Sequence, residues 1–128
     1  MSMPTRDRVQ AFVDCVVSGD HVKAIEDFYH LDASMQENLA PLREGRDFLV
    51  DHERRALARV ERMDTHLPEA ILVDGDLVAI RWVFDVTSTD SATKRLIEVA
   101  LQNWRDDRIQ AEQFFYDSAT AWHPVTPD

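Results

Sequence analysis

The sequence has little cysteine, glycine or lysine and no long apolar run, and each scarcity narrows what the chain can be. Of 128 residues, one is cysteine and three are glycine. The lone Cys15 excludes an internal disulfide and any multi-cysteine metal site, and it fits a reduced, cytoplasmic setting. No stretch approaches the roughly 20 consecutive apolar residues of a membrane span. Residues 1–6 lack the charged-then-apolar layout of a secretory signal. No phosphate loop, nucleophile elbow or dinucleotide fingerprint is present.

Positive charge is also short. Lysine and arginine number 14 against 24 aspartates and glutamates, for a formal charge of −10. Neutralising phosphates needs a basic face, so no nucleic acid and no membrane surface is expected as a partner. Six arginines between positions 43 and 62 leave a local basic patch open. What is present is a globular composition, 45% apolar and 9% aromatic, which excludes disorder across most of the chain. A chain of this length buries about two-thirds of its unfolded surface as one domain. The expected domain covers residues 1–128, with a core over about 5–118 and a fraying tail over 119–128 marked by Pro124 and Pro127.

Residues 5–18 read as an amphipathic helix capped by Thr5, with Val9, Phe12, Val13, Val16 and Val17 at helical spacing. Ser18-Gly19 ends it, and Asp20 caps a second helix over about 20–30 with Val22, Ile25, Phe28 and Tyr29 inward. Residues 31–39 alternate with a period of two, which predicts a strand. Leu31, Ala33, Met35, Glu37 and Leu39 then share one face, and Glu37 interrupts its apolar character. A third helix over about 46–62 places Phe48, Leu49, His52, Ala56, Leu57 and Val60 inward and an Arg/Glu ladder outward. Strands follow near 65–73, 77–88, 93–105 and 109–117, and Asp74-Gly75-Asp76 marks a hairpin. Helices segregated from a run of strands predict an α+β fold, with helices packed on one face of a curved sheet.

The order of elements, with Ser18-Gly19-Asp20 between the first helices, resembles the nuclear transport factor 2-like superfamily, in particular its SnoaL-like and ketosteroid-isomerase-like members. Residues 28–38 resemble that family's second-helix-to-strand junction. Arg108-Ile109 leading into Phe114-Phe115-Tyr116-Asp117 resembles its final strand. The resemblance implies a cone-shaped fold, with three N-terminal helices on a strongly curved, mostly antiparallel sheet that encloses an apolar cavity. Members of the family include isomerases, cyclases, hydratases and epoxide hydrolases, and also proteins that only bind or assemble, so the fold does not choose a function.

The resemblance places Glu37 at the isomerases' proton-shuttling carboxylate, where a dry cavity would raise its pKa toward a general-base value. Phe12 falls where the isomerases carry an oxyanion-hole tyrosine, and Gln102 where they carry a protonated aspartate. A steroid isomerase is therefore not expected. The same matching lines the cavity with Glu98, Ala100, Gln102 and Trp104 from one strand and Glu112, Phe114 and Tyr116 from the next. Three carboxylates in a low-dielectric pocket cannot all stay charged without partners, so one or two should be neutral or paired at pH 7. His52 is the nitrogen placed to join them. Each group has a structural reading beside the functional one: Glu37 as a cap or ion pair, Gln102 and Tyr116 as cavity wall, His52 as a half-buried helix histidine. No local HxxxH pair supports a metal site at Glu37, His52 and Glu112.

The expectation is a small SnoaL-like enzyme doing cofactor-independent proton transfer (isomerisation, cyclisation, hydration or dehydration) on an apolar small molecule. Glu37 would be the base, Glu112 or Glu98 the partner acid, and Phe12, His52, Gln102, Trp104, Phe114 and Tyr116 the substrate-binding residues. The alternative is a non-catalytic binding or dimeric assembly module of the same fold. An apolar outer face carrying Ile97, Val99, Leu101, Gln113 and Phe115 predicts a homodimer, and Arg81 and Asp85 are expected at the surface or interface.

Overall fold

A computed structural model describes residues 3–125, so the readings that touch Met1, Ser2 and Pro127 lie outside the described residues. The chain order is α1 (Arg6–Val17), α2 (His21–Phe28), β1 (Tyr29–Glu37), β2 (Arg43–Glu44), α3 (Arg46–Leu57), β3 (Val60–Thr65), β4 (Ile71–Asp74), β5 (Leu77–Ser88), β6 (Thr93–Arg105), β7 (Arg108–Phe115) and β8 (His123–Pro124). Three helices pack on a mixed, curved and unclosed sheet, an α+β cone. None of the described helices is long and apolar enough to cross a membrane.

Thr5 caps α1 by accepting from the Arg8 N–H at 3.0 Å, and the stripe Val9, Phe12, Val13 and Val16 is buried. Asp20 caps α2 in the same way through the Lys23 N–H. That helix stops at Phe28, two residues short of the sequence expectation. Tyr29 already has extended backbone and pairs with Ile109.

The sheet runs β2-β1-β7-β6-β5-β3, with β4 on β5 and β8 on β6. The strands from β4 to β7 form the expected antiparallel meander, while β1 joins its end parallel to β7. A register irregularity between Tyr29 and Ser34 resets the phase of β1. Ala33 and Met35 are therefore buried as expected, whereas Leu31 is 65% exposed. Leu39 lies beyond the strand end and is also exposed.

Two further boundaries differ from the sequence reading. Helix α3 ends at Leu57, because Val60 enters β3 opposite Ser88. Its inward face runs through Leu49, Val50 and Glu53, so Leu49 is buried as expected while Phe48 and His52 are exposed. The single strand expected over 65–73 is two short ones. Pro68 cannot donate to a ladder and separates β3 from β4, each of which pairs with one half of the long β5. The tail is also tied down: Ala121 is buried, and β8 pairs with Lys94 and Arg95 of β6. At Gly75 the tight β4–β5 hairpin takes φ 62°, which glycine adopts without strain.

Candidate active site in the cone

Between the helices and the sheet lies a cavity of about 230 Å³. Phe12, Tyr29, Trp82, Phe84, Phe114 and Trp122 supply aromatic walls, and four carboxyl side chains, Glu37, Glu53, Glu98 and Glu112, reach it. The strict alternation of β6 explains part of this. Leu96, Glu98, Ala100, Gln102 and Trp104 are buried, while the residues between them face out.

Glu112 is 3% exposed and sits in a chain of donors. Tyr29 donates its phenol to Oε1, and Gln102 donates its amide to Oε2 at 2.6 Å. The Trp104 indole N–H donates to Gln102 Oε1 at 2.9 Å, which fixes the amide's orientation. Burial pushes the Glu112 carboxyl up to about 7, while the hydrogen bonds from Gln102 and Tyr29 pull it down. The same contacts, led by burial, hold the Tyr29 phenol well above its ordinary range.

Glu98 is 8% exposed, and among the described residues its carboxyl has no hydrogen-bond partner. Burial, followed by the field of Glu112, pushes it up to about 8, so it is mostly protonated at neutral pH. Burial also raises Glu53, partly offset by Arg43.

Glu37 stands at the exposed rim rather than in a dry pocket. Its side chain is 43% exposed and pairs with Arg43 at 3.1 Å. His52 lies on the same rim, its ring 6.4 Å from that of Phe48, and burial and Arg43 lower its pKa. His21 faces the cavity from α2; burial lowers its pKa, and its Nε2 is buried without a partner.

Of the residues singled out by sequence, Glu37, Glu98, Glu112, Phe12, His52 and Phe114 line the cavity. Gln102 and Trp104 do not reach it. They are buried behind Glu112 and hold it. Tyr116 lies past the end of β7, and its backbone N–H is bonded to the Asn38 side chain. Seven further polar or aromatic cavity residues are not singled out by the sequence: Tyr29, which reads as helix packing, Glu53, which reads as part of the outer ladder, Arg43, which reads as one of a basic cluster, Trp122, which falls in the expected tail, and His21, Trp82 and Phe84. Glu53 was within reach of helical arithmetic, lying four residues from both Leu49 and Leu57.

Among the described residues no group of three or more His, Cys, Asp or Glu is placed to hold a metal ion. Arg81 and Asp85 lie on the outer face. Asp85 accepts from Arg95 at 2.7 and 2.9 Å and contacts His66 at 2.7 Å, and these contacts, Arg95 first, lower its pKa to about 2.

The SnoaL-like domain family matches residues 9–125 of this chain. A comparison with curated proteins finds no match. Among solved structures, a SnoaL-like protein of Mesorhizobium loti assigned as a polyketide cyclase is 23% identical. The match covers 86% of this chain and 97% of that one, at a TM-score of 0.72. A ketosteroid isomerase-like protein of Catenulispora acidiphila, in complex with trimethylamine, is 18% identical over 91% and 90% of the two chains, at 0.75. An LEH-like epoxide hydrolase of M. tuberculosis is 15% identical over 88% and 82%, at 0.72. At these identities the likeness to solved structures shows the fold alone.

Proposed function

We propose that this chain, which belongs to the SnoaL-like domain family, uses its cavity for cofactor-independent acid/base chemistry on an apolar small molecule. The observation that carries the reading is the Glu112 carboxyl, buried at an aromatic cavity and poised near pH 7 by opposing burial and hydrogen bonds. A carboxyl balanced there both takes and returns a proton at neutral pH, which isomerisation, cyclisation and hydration each require. Glu112 therefore takes the base role that sequence matching gave to Glu37, because Glu37 is half in solvent and bound to Arg43. Glu98 faces the polar group of the ligand, and the Glu37–Arg43 pair orients what enters at the rim. The cavity is smaller than the ~300–1,000 Å³ that suits drug-sized ligands, so the substrate is small. Phe12 offers no hydroxyl and Gln102 directs its amide to Glu112, so an oxyanion hole of the steroid-isomerase kind is not part of this reading.

A base of this kind abstracts a proton from a generic small carbon acid. With 5-nitrobenzisoxazole as probe, release of the cyanonitrophenolate should climb with pH and level off above about 7 as Glu112 ionises. Glu112→Gln should lower the rate by roughly 10²-fold or more with the fold intact, whereas Glu37→Gln should change it little. Equal rates in Glu112→Gln and the parent would overturn the assignment.

A homodimer belongs to the same reading. Ile97, Val99, Leu101 and Phe115 are 37–42% exposed on the outer sheet face, which Gln113 shares, and pairing with a second copy would cover them. A cytoplasmic setting fits the free Cys15.

A further inference from the structure

We propose that the polar group this cavity recognises is a small organic ammonium, held by the Glu98 carboxylate against the indole of Trp82. The inference rests on the cavity being a binding site, and it names the class of ligand.

Among the described residues, four carboxyl groups reach the cavity, and the only guanidinium there, Arg43, pairs with Glu37. The two histidines at the cavity are pushed toward their neutral form, His21 by burial and His52 by burial and Arg43. Glu112 is satisfied by two neutral donors, Tyr29 and Gln102. Glu98 has neither a cation nor a donor among the described residues, although it is more than nine-tenths buried and lines the cavity. A carboxyl that opens on a cavity with no protein partner carries a cost that an apolar residue of its size would not. A neutral hydrocarbon ligand would leave that cost standing; a cation removes it.

The wall beside Glu98 suits such a cation. Trp82 stands directly across the β5–β6 ladder from Glu98, so both side chains leave the same face of the sheet. Its ring is 2% exposed and stacks on Phe84 at 5.7 Å. Indole faces attract ammonium groups most strongly when water is excluded. The other carboxyls add to the attraction from three further elements: Glu112 from β7, Glu37 from β1 and Glu53 from α3.

The charge balance is simple. In the empty cavity at neutral pH Glu98 holds its proton; when the ammonium enters, that proton leaves to solvent and an ion pair takes its place. Cation affinity should therefore rise with pH and level off above about 8, where Glu98 is already ionised.

Phenyltrimethylammonium and its uncharged isostere tert-butylbenzene provide the test, with tryptophan fluorescence and calorimetry in two buffers of different ionisation heat. At pH 7 the ammonium should bind about tenfold tighter than the isostere or better, releasing close to one proton. In Glu98→Gln that preference should be lost and the proton release should fall to the fraction that Glu112 gives up, while the melting temperature is unchanged or higher. Equal binding of the two probes without proton release would overturn the ammonium and leave the cavity as a site for neutral ligands. Binding of neither would remove the binding reading itself.

Discussion

Tyr29 and Glu112 stand 83 positions apart in the chain and share a buried hydrogen bond, phenol to carboxyl, at the base of the cavity. It forms because α2 stops at Phe28, so that Tyr29 opens β1 and pairs beside Ile109 on β7. A donor on the ionised carboxylate lowers its pKa, while burial raises it. Tyr29→Phe removes one of the two donors. The inflection of the proton-abstraction profile should move above about 7, and stability at pH 7.5 should fall by about 1–3 kcal/mol. An unmoved inflection would show that Tyr29 does not set the proton affinity of Glu112.

The pH dependence of stability follows from the same groups. Glu98 and Glu112 bind protons more tightly in the folded chain than in the unfolded one, where a glutamate titrates near its ordinary 4.5. Their contribution is complete below about 4.5 and is lost as pH rises through about 7 and 8. Melting temperature should decline from pH 5 to pH 8.5. The loss approaches about 1.4 kcal/mol per pH unit for each proton given up. Glu98→Gln should flatten the upper part of that decline, and an undiminished slope in this variant would exclude Glu98 as its source.

Asp85 acts with the opposite sign. Its lowered pKa, about 2 against an ordinary 3.8, stabilises the fold above about 3.8, and that stabilisation is lost as pH falls toward 2. Asp85→Asn should cost about 2 kcal/mol at neutral pH and little at pH 2. Chemical denaturation at both values measures it. A cost independent of pH would point to packing rather than to the ion pair with Arg95.

The apolar outer face gives a separate prediction. Sedimentation of the parent chain at micromolar concentration should show a dimer, and Leu101→Glu should shift it to monomer while leaving the cavity groups titrating as before. A monomeric parent would remove the dimer from the account.

How much of this was legible in the sequence depended on whether a local pattern recorded the decisive contact. The alternation of β6 is regular over residues 96–105, but its facing was not written in it: period two alone fits Ile97, Val99 and Leu101 inward as well, and only the family resemblance turned Glu98 and Gln102 to the cavity. The helix caps at Thr5 and Asp20 were legible, each being a local signal. The phase of β1 was not, because the irregularity between Tyr29 and Ser34 depends on pairing with a strand some eighty residues away. Helix α3 carries few apolar residues, and taking Phe48 and His52 for its centre rotated Glu53 outward. The partners that set each carboxyl's chemistry lie on other elements: Arg43 for Glu37, Tyr29 for Glu112. Spacing along one element carries no trace of them.

Carboxyl ¹³C NMR titration of the glutamates tests the central claim most directly, with Glu98→Gln and Glu112→Gln used for assignment. The account predicts two carboxyls with midpoints near 8 and near 7, belonging to Glu98 and Glu112 respectively. If both titrate near the ordinary glutamate value of about 4.5, they are charged at neutral pH. In that case neither the proton shuttle at Glu112 nor the proton release at Glu98 survives.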